Sequence, residues 1–402
     1  MALLSVADAL AAVLAQAESL PSEDVPLQAA VGRVLTADLA ALRTQPPADV
    51  SAMDGYAVRG EDVADPTVLR VIGEVAAGRP FVGTIGPGEA ARIFTGAVMP
   101  NGTDTVVIQE VTSREGDRVT IKRPEAKGRH VRRKGYDFAA GDVLLKKDRR
   151  LTARGIALAA AMNHATVPVH RRPRVAVFAT GDELVEPGTP PAPGQIVHSN
   201  GISIAALAGT EGVEAIDFGI VPDRLDATIA AVRRARAEGV DVLVTSGGAS
   251  VGDYDFVQQA FAAEGMALSF WKVALRPGRP LMNGRLGAMH VLGLPGNPVS
   301  AYVCAVLFFV PLLRRLAGRS DLTLPRATAM LGHALGPNDE RADYMRATLA
   351  LRADGTPVAT PFPTQDSSML VPLAASDCLV VREPYAPAAA AGSPCVFVKL
   401  QD

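Results

Sequence analysis

DVLVTSGGASVGDYDF, residues 241–256, runs apolar β-branched residues into a glycine-rich turn and then into a new helical start. Gly247, Gly248 and Gly252 permit backbone conformations and close approach that a side chain forbids. Amide N–H groups exposed ahead of a helix favour a phosphate. Ser246 and Ser250 add hydroxyl donors. Outward from this stretch the same alternation repeats from Arg174: RVAVFAT, a helix near Gly201 to Ala208, VEAIDFGIV, and a helix from Asp226 to Ala237. It continues through DVLVTS, a helix near Phe256 to Glu264, ALSFWKV, MHVLGL and a long helix after Pro298. Strands separated by helices predict a mostly parallel sheet, whose ligands sit outside the carboxyl ends of its strands.

Five segments follow those strands, and all are rich in glycine or in charge-binding groups. Glu183 follows the first strand, Asp223 the second, and Asp253 and Asp255 the glycine turn. Carboxylates beside a phosphate repel it unless a cation lies between, and oxygen ligands suit Mg²⁺, so Glu183, Asp223 and Asp255 are the candidate metal ligands. Lys272, Arg276 and Arg279 flank the fourth loop, where Pro277-Gly278 fixes a turn that aims them at anionic oxygens. In the fifth, Pro295, Gly296 and Asn297 lead to Ser300 near a helix start with unpaired amides. Plain structural readings stand beside these: a turn joining strand to helix, Asp223 as a helix cap, Glu183 solvated, and the basic residues as an exposed face.

Lys and Arg number 40 against 42 Asp and Glu, a net charge of −2, which excludes a global electrostatic case for nucleic acid or an acidic membrane. Any anion site is local. Cys304, Cys378 and Cys395 form neither a disulfide framework nor a zinc pattern and suit a reducing compartment. Asp8, Gln16 and Glu18 interrupt any signal-like run at the N-terminus. The apolar stretch from Val299 to Leu313 contains Pro311 and falls short of the roughly 20 residues a bilayer needs. A cytoplasmic protein without membrane or nucleic-acid partners is expected.

Ser5 followed by Asp8 predicts a helix that Pro21 stops, and a second helix is predicted after Thr152. Between them, short β-rich runs punctuated by Gly, Pro and Asn-Gly predict an inserted β domain, in which Asp54-Gly55 is a hairpin signal. Arg129, Arg132, Arg133 and Lys134 read as an exposed basic face. YMRATLAL, CLVVRE and CVFVKL predict a small terminal β domain. The expected division is 1–50 with 139–172 (N-terminal, helical), 51–138 (inserted, β), 173–318 (α/β) and 319–402 (C-terminal, barrel-like β).

SAMDGYAVR, RIFTGAVMP, VRRKGYDFAAGDVL, FATGDEL, TSGGASVGDYD, FWKVALRPGRP and LPGNPVSA occur in this order over nearly the whole chain. Together they resemble the molybdopterin molybdenumtransferase family, the MoeA-like proteins that include the E domain of animal gephyrin. That resemblance implies a MogA-like molybdopterin-binding α/β domain and an enzyme of molybdenum cofactor biosynthesis. The implied reaction is Mg²⁺-dependent insertion of molybdate into adenylylated molybdopterin with release of AMP. It also implies an elongated homodimer, with the site in a cleft between the α/β domain of one subunit and the inserted β domain of the other. By motif, the implied functional residues are Asp54, Thr95, Asp137, Glu183, Asp223, Asp255, Lys272, Arg276, Arg346 and Ser367. Arg276 and Arg279 stand where the family commonly has lysine, which keeps the charge but replaces a compact ammonium with a forked guanidinium. Implied partners are a molybdopterin adenylyltransferase, and molybdoenzymes or their chaperones. The rival readings are the preceding adenylyltransferase step, which would consume ATP, and a non-catalytic cofactor carrier or scaffold, which would release no AMP.

Overall fold

The computed structural model describes residues 3–64, 66–247 and 256–400, which fall into two compact units. One unit comprises 1–23, 32–34 and 170–402, and the other 24–31 and 35–169.

In the first unit the sheet consists of β1 (Val175–Thr180), β2 (Ala215–Val221), β3 (Val242–Ser246), β4 (Ala267–Lys272), β5 (Pro280–Leu286) and β6 (Met289–Leu294). Their order is β2-β1-β3-β6-β5-β4. β2, β1, β3 and β6 pair in parallel, whereas β5 pairs antiparallel with both β6 and β4. β1, β3 and β6 are buried along their whole length, as their unbroken apolar runs require of strands covered on both faces. Alternate side chains then divide between two cores. Val175 and Val177 of β1 join Ile204 and Leu207 of α1 (Asn200–Thr210), while Ala176 and Phe178 join Val232 of α2 (Leu225–Ala237) and Phe261 of α3 (Phe256–Ala263).

β5 is absent from the sequence-based expectation, because Asn283, Gly284 and Arg285 break its apolar run. Gly284 is required there: a Cβ would stand 2.8 Å from the Ala267 carbonyl oxygen on the paired strand. Two antiparallel reversals leave β4 pointing the same way as β6. All five loops singled out from the sequence therefore emerge at one sheet edge.

α4 (Pro298–Leu316) is longer than the apolar run suggests, and Pro311 does not end it. Proline supplies no N–H to the preceding turn, and residues Ala305–Phe309 take a π-helical turn just before it. Among the described helices only α4 is long and apolar enough to cross a membrane, and 83% of its apolar window is buried inside the fold. The N-terminal helix Val6–Ala15, capped by Ser5 Oγ accepting from Asp8 N at 3.0 Å, packs Ala9 and Val13 into the same core as α4. It belongs to this unit and not with the helix Ala153–Ala161, which lies in the other.

The C-terminal strands β7 (Arg326–Leu331), β8 (Ala342–Leu351), β9 (Pro357–Pro361), β10 (Cys378–Arg382) and β11 (Pro394–Lys399) close into a five-stranded barrel, β8-β9-β7-β11-β10 and back to β8. The expected barrel-like end is thus observed. A two-residue strand, Leu275–Arg276, adds in parallel to β8 and ties the fourth loop of the α/β sheet to the barrel.

The second unit holds a six-stranded sheet that includes Gly55–Val58 between Glu89–Ile93 and Thr105–Ile108. Asp54-Gly55 is not a hairpin turn, since the strand it opens pairs with those two neighbours. Gly55 is needed because a Cβ would come 2.0 Å from the Val107 carbonyl oxygen.

His290 on β6 is buried, with Nε2 3.1 Å from Arg285 Nη1. Burial first, and the Arg285 charge second, lower its pKa from 6.5 to about 4. The folded chain keeps this imidazole neutral while the unfolded chain protonates it, so its stabilising contribution is complete above pH 6.5 and is lost as pH falls toward 4. At about 1.4 kcal/mol per pH unit the loss approaches roughly 3 kcal/mol. His290→Gln, which retains an acceptor for Arg285, should lose less stability on acidification. Urea denaturation at neutral pH and at about pH 4.5 measures the difference.

Candidate functional site

β3 ends at Ser246, and the chain turns at Gly247 with φ +91°. A Cβ there would lie 2.6 Å from the Thr180 carbonyl oxygen at the end of β1, so only glycine brings these strand ends together. Asn200, at the start of α1, locks the edge by donating from Nδ2 to Ser246 Oγ at 2.8 Å and to the Gly296 carbonyl at 2.7 Å. Ser246 Oγ in turn faces the Pro295 carbonyl at 3.4 Å. These bonds frame a cavity of about 330 Å³ bordered by Ser246, Gly247, Gly296 and Asn297 from the predicted loops. Glu183 also lines it, as do Thr180, His198, Asn200 and Ser368, which the sequence reading missed. The missed signal was the polar triplet His198-Ser199-Asn200 opening a helix. Gly248, Ser250, Gly252 and Asp255 lie outside the described residues.

Asn297 reaches the barrel, donating from Nδ2 to Ser367 Oγ at 2.8 Å, and Val299 N donates to the Ser367 carbonyl at 3.0 Å. Ser367 therefore fixes the helix-start loop while its neighbour Ser368 borders the cavity. Ser300 is buried within the first turn of α4 and does not border the cavity.

Acidic groups gather on the first two loops. Asp223 N donates to Asp182 Oδ1 at 3.2 Å, and burial, then the charges of Asp182 and Glu183, raise the pKa of the Asp223 carboxyl. Asp223 does not cap α2, whose N-cap position is Arg224. The described residues contain no cluster of three metal-ligating side chains. Glu183 and Asp223 supply hard oxygen donors, and Asp223 has its pKa raised by burial first and by the neighbouring carboxylates second. Oxygen donors of this kind are the type that Mg²⁺ takes.

The predicted cations divide into two kinds. Arg276 Nε donates to Asp343 Oδ1 at 2.6 Å, and its Nη atoms contact Asp343 Oδ2, Asp339 and Asn338. Instead of presenting a free charge, it pins the fourth loop to β8. Arg346 is 1% exposed, and its Nη atoms donate to the carbonyls of Met369 (2.8 Å), Asp366 (2.9 Å) and Thr364 (3.3 Å). It shapes the loop that carries Ser367 and Ser368 and is no open anion ligand. Lys272 and Arg279 are exposed, and neither has an ion-pair partner among the described residues.

In the second unit the structure brings Asp54 and Thr95 together. Asp54 Oδ1 accepts from both Thr95 N and Thr95 Oγ1 at 2.7 Å, and the backbone bond first, the hydroxyl bond second, lower the Asp54 pKa. Arg92 supports this turn, donating to the Gly55 carbonyl at 3.0 Å and stacking 4.8 Å over Phe94. Asp137 is exposed, and its amide donates to the Gln45 carbonyl at 3.0 Å.

Three family profiles match this architecture in chain order: MoeA N-terminal region (domain I and II) over residues 4–163, probable molybdopterin binding domain over 176–315, and MoeA C-terminal region (domain IV) over 328–400. The chain belongs to the molybdopterin molybdenumtransferase family. A molybdopterin molybdenumtransferase from Nostoc sp. is 41% identical over 82% of this chain and 78% of its own length, and one from Haemophilus influenzae is 35% identical over 90% of each. A solved molybdopterin biosynthesis MoeA protein from Pyrococcus horikoshii superposes with a TM-score of 0.84 at 31% identity, covering 100% of both chains. Membership makes this family chain an enzyme of molybdenum cofactor biosynthesis.

Replacing Arg346 with Met keeps apolar bulk but leaves three inward carbonyls without their donor. Arg346→Met should destabilise the chain by about 2–4 kcal/mol. Urea denaturation reads the loss directly; an unchanged midpoint would contradict the structural role given to this guanidinium.

Proposed function

We propose that the chain inserts molybdate into adenylylated molybdopterin and releases AMP, with Mg²⁺ as the required cation. The observation that carries this reading is the glycine-walled cavity at the sheet edge beside the Asp182, Glu183 and Asp223 carboxylates. A phosphoanhydride is an anion, and carboxylates next to it need a bridging cation. Glu183 and Asp223, with Asp255, would hold Mg²⁺, which when bound would polarise the anhydride between the pterin phosphate and AMP.

In this proposal the chain's own residues supply position and charge. Backbone at Gly247 and Gly296 accepts phosphate at close range because no Cβ intervenes, and Asn200 keeps the two loops at fixed separation. Lys272 and Arg279 are the charges available to a tetrahedral molybdate dianion, while Arg276 and Arg346 hold the frame. The Asp54–Thr95 pair is proposed as a second functional locus on the inserted β sheet, and Asp137 as a third. The working form is proposed to be a cytoplasmic homodimer. An adenylyltransferase would supply its substrate, and a molybdoenzyme or its chaperone would take its product.

Purified chain mixed with adenylylated molybdopterin, molybdate and Mg²⁺ should release AMP and form cofactor, and leaving out either molybdate or Mg²⁺ should stop both. AMP release that ignores molybdate would sink the transfer reading. Glu183 is exposed, so Glu183→Gln should keep the melting temperature while lowering kcat by about 100-fold or more.

A further inference from the structure

Arg92 lies on the strand Glu89–Ile93, directly across from Tyr56 on the strand Gly55–Val58. It is half-buried, and among the described residues no carboxylate pairs with its charge. Instead its guanidinium stacks over two rings, 4.8 Å from the centroid of Phe94 and 5.4 Å from that of Tyr56. Stacking fixes the plane of a guanidinium and leaves the N–H groups along its edge to bind acceptors. Nη1 donates to the Gly55 carbonyl at 3.0 Å, and Nη2 donates to Gln109 Oε1 at 2.7 Å. Gln109 completes the link, since its amide N donates to the Asp54 carbonyl at 3.1 Å.

The carbonyls of Asp54 and Gly55 are therefore both held, one by Gln109 and one by Arg92. The Asp54 side chain leaves the main chain at this point. Its Oδ1 accepts from Thr95 N and Thr95 Oγ1, each at 2.7 Å, whereas Oδ2 has no hydrogen-bond partner among the described residues. Packing alone does not account for the arginine. An unbranched apolar side chain at this position would cover Tyr56 and Phe94 equally well, but it would supply neither the bond to Gly55 nor the bond to Gln109.

We infer that Arg92, with Gln109 as its second contact, is a positioning residue that fixes the direction in which Asp54 presents its free carboxylate oxygen. The inference rests on Asp54 being a functional residue of the proposed reaction. Arg92 acts through the main chain at Asp54-Gly55 and is not assigned a contact with substrate.

The test follows molybdate-dependent AMP release from adenylylated molybdopterin, with melting temperature as the check on folding. Arg92→Met should lower kcat by about 100-fold while KM for both substrates stays within about twofold, because binding is kept and alignment is lost. Arg92→Lys, which keeps the charge and one of the two bonds, should remain within about tenfold of wild-type kcat. In Asp54→Glu the carboxylate is already displaced by one methylene, so adding Arg92→Met should lower kcat by no more than about threefold further. An arginine that only held the sheet together would impose its full loss on Asp54→Glu as well. That outcome overturns the inference, as does wild-type kcat in a folded Arg92→Met; if Arg92→Met does not fold, the same cycle on Arg92→Lys decides. A crystal structure of the variant gives a readout without turnover: the Asp54 carboxylate should leave its two bonds to Thr95, and an unmoved carboxylate overturns the inference. No molybdate-dependent AMP release from the wild type, with Asp54 displaced in the variant, would remove the proposed reaction and leave the positioning role. Wild-type turnover by Asp54→Asn would remove Asp54 from the site, and the role of Arg92 with it. Loss of turnover in Asp54→Asn with normal turnover in Arg92→Met would overturn this inference alone.

Discussion

Burial of β1, β3 and β6 on both faces is the constraint from which the rest follows. A strand covered on each side has no surface of its own, and its backbone polar groups are satisfied only by its neighbours in the sheet. Polar chemistry is then confined to the strand ends. The parallel pairings, and the double reversal through β5, put five of those ends on one edge. Gly247 lets β3 end against β1, and Asn200 bridges both to the loop before α4. Without that glycine the loops would stand apart.

Charge at this edge is sorted by depth and by commitment. Burial first, and the neighbouring charges of Asp182 and Glu183 second, raise the pKa of Asp223. Arg276 spends its guanidinium on Asp343, joining sheet and barrel, while Arg346 spends its own on backbone carbonyls within the C-terminal domain. A guanidinium suits that task, since its planar fork satisfies several acceptors at once. Lysine in place of Arg276 would keep the charge but not the multiple contact to Asp343, Asp339 and Asn338. The guanidinium of Arg276 is thus accompanied here by a built network. The cations left outside such networks, Lys272 and Arg279, lie on the exposed side of the same loop.

Much of this was legible in the sequence because it depends on local patterns. Unbroken apolar runs marked β1, β3 and β6; glycine clusters and charged residues marked the loops; Ser5 and Thr152 marked helix starts. What was not legible depends on partners distant in the chain. β5 reads poorly because its glycine and polar residues make sense only against Ala267 and the flanking strands. Asp54-Gly55 looks like a hairpin until Val107 shows why a side chain cannot fit. The commitment of Arg346 to carbonyls 18 to 23 residues away has no local signature, nor does the bond from Asn200 to the Gly296 carbonyl.

Arg346 and His198 are opposite cases of one rule. Each is a buried polar side chain, and each must be accounted for by what it bonds. Arg346 meets three carbonyls of its own chain, so its burial is explained by the fold and asks for no ligand. Among the described residues His198 meets none at Nε2, which is sealed against the backbone at Gly201. A leucine of similar reach would satisfy the surrounding apolar side chains without the desolvation penalty. What holds the residue is its main chain, His198 N donating to the Val185 carbonyl at 2.8 Å, and not its ring.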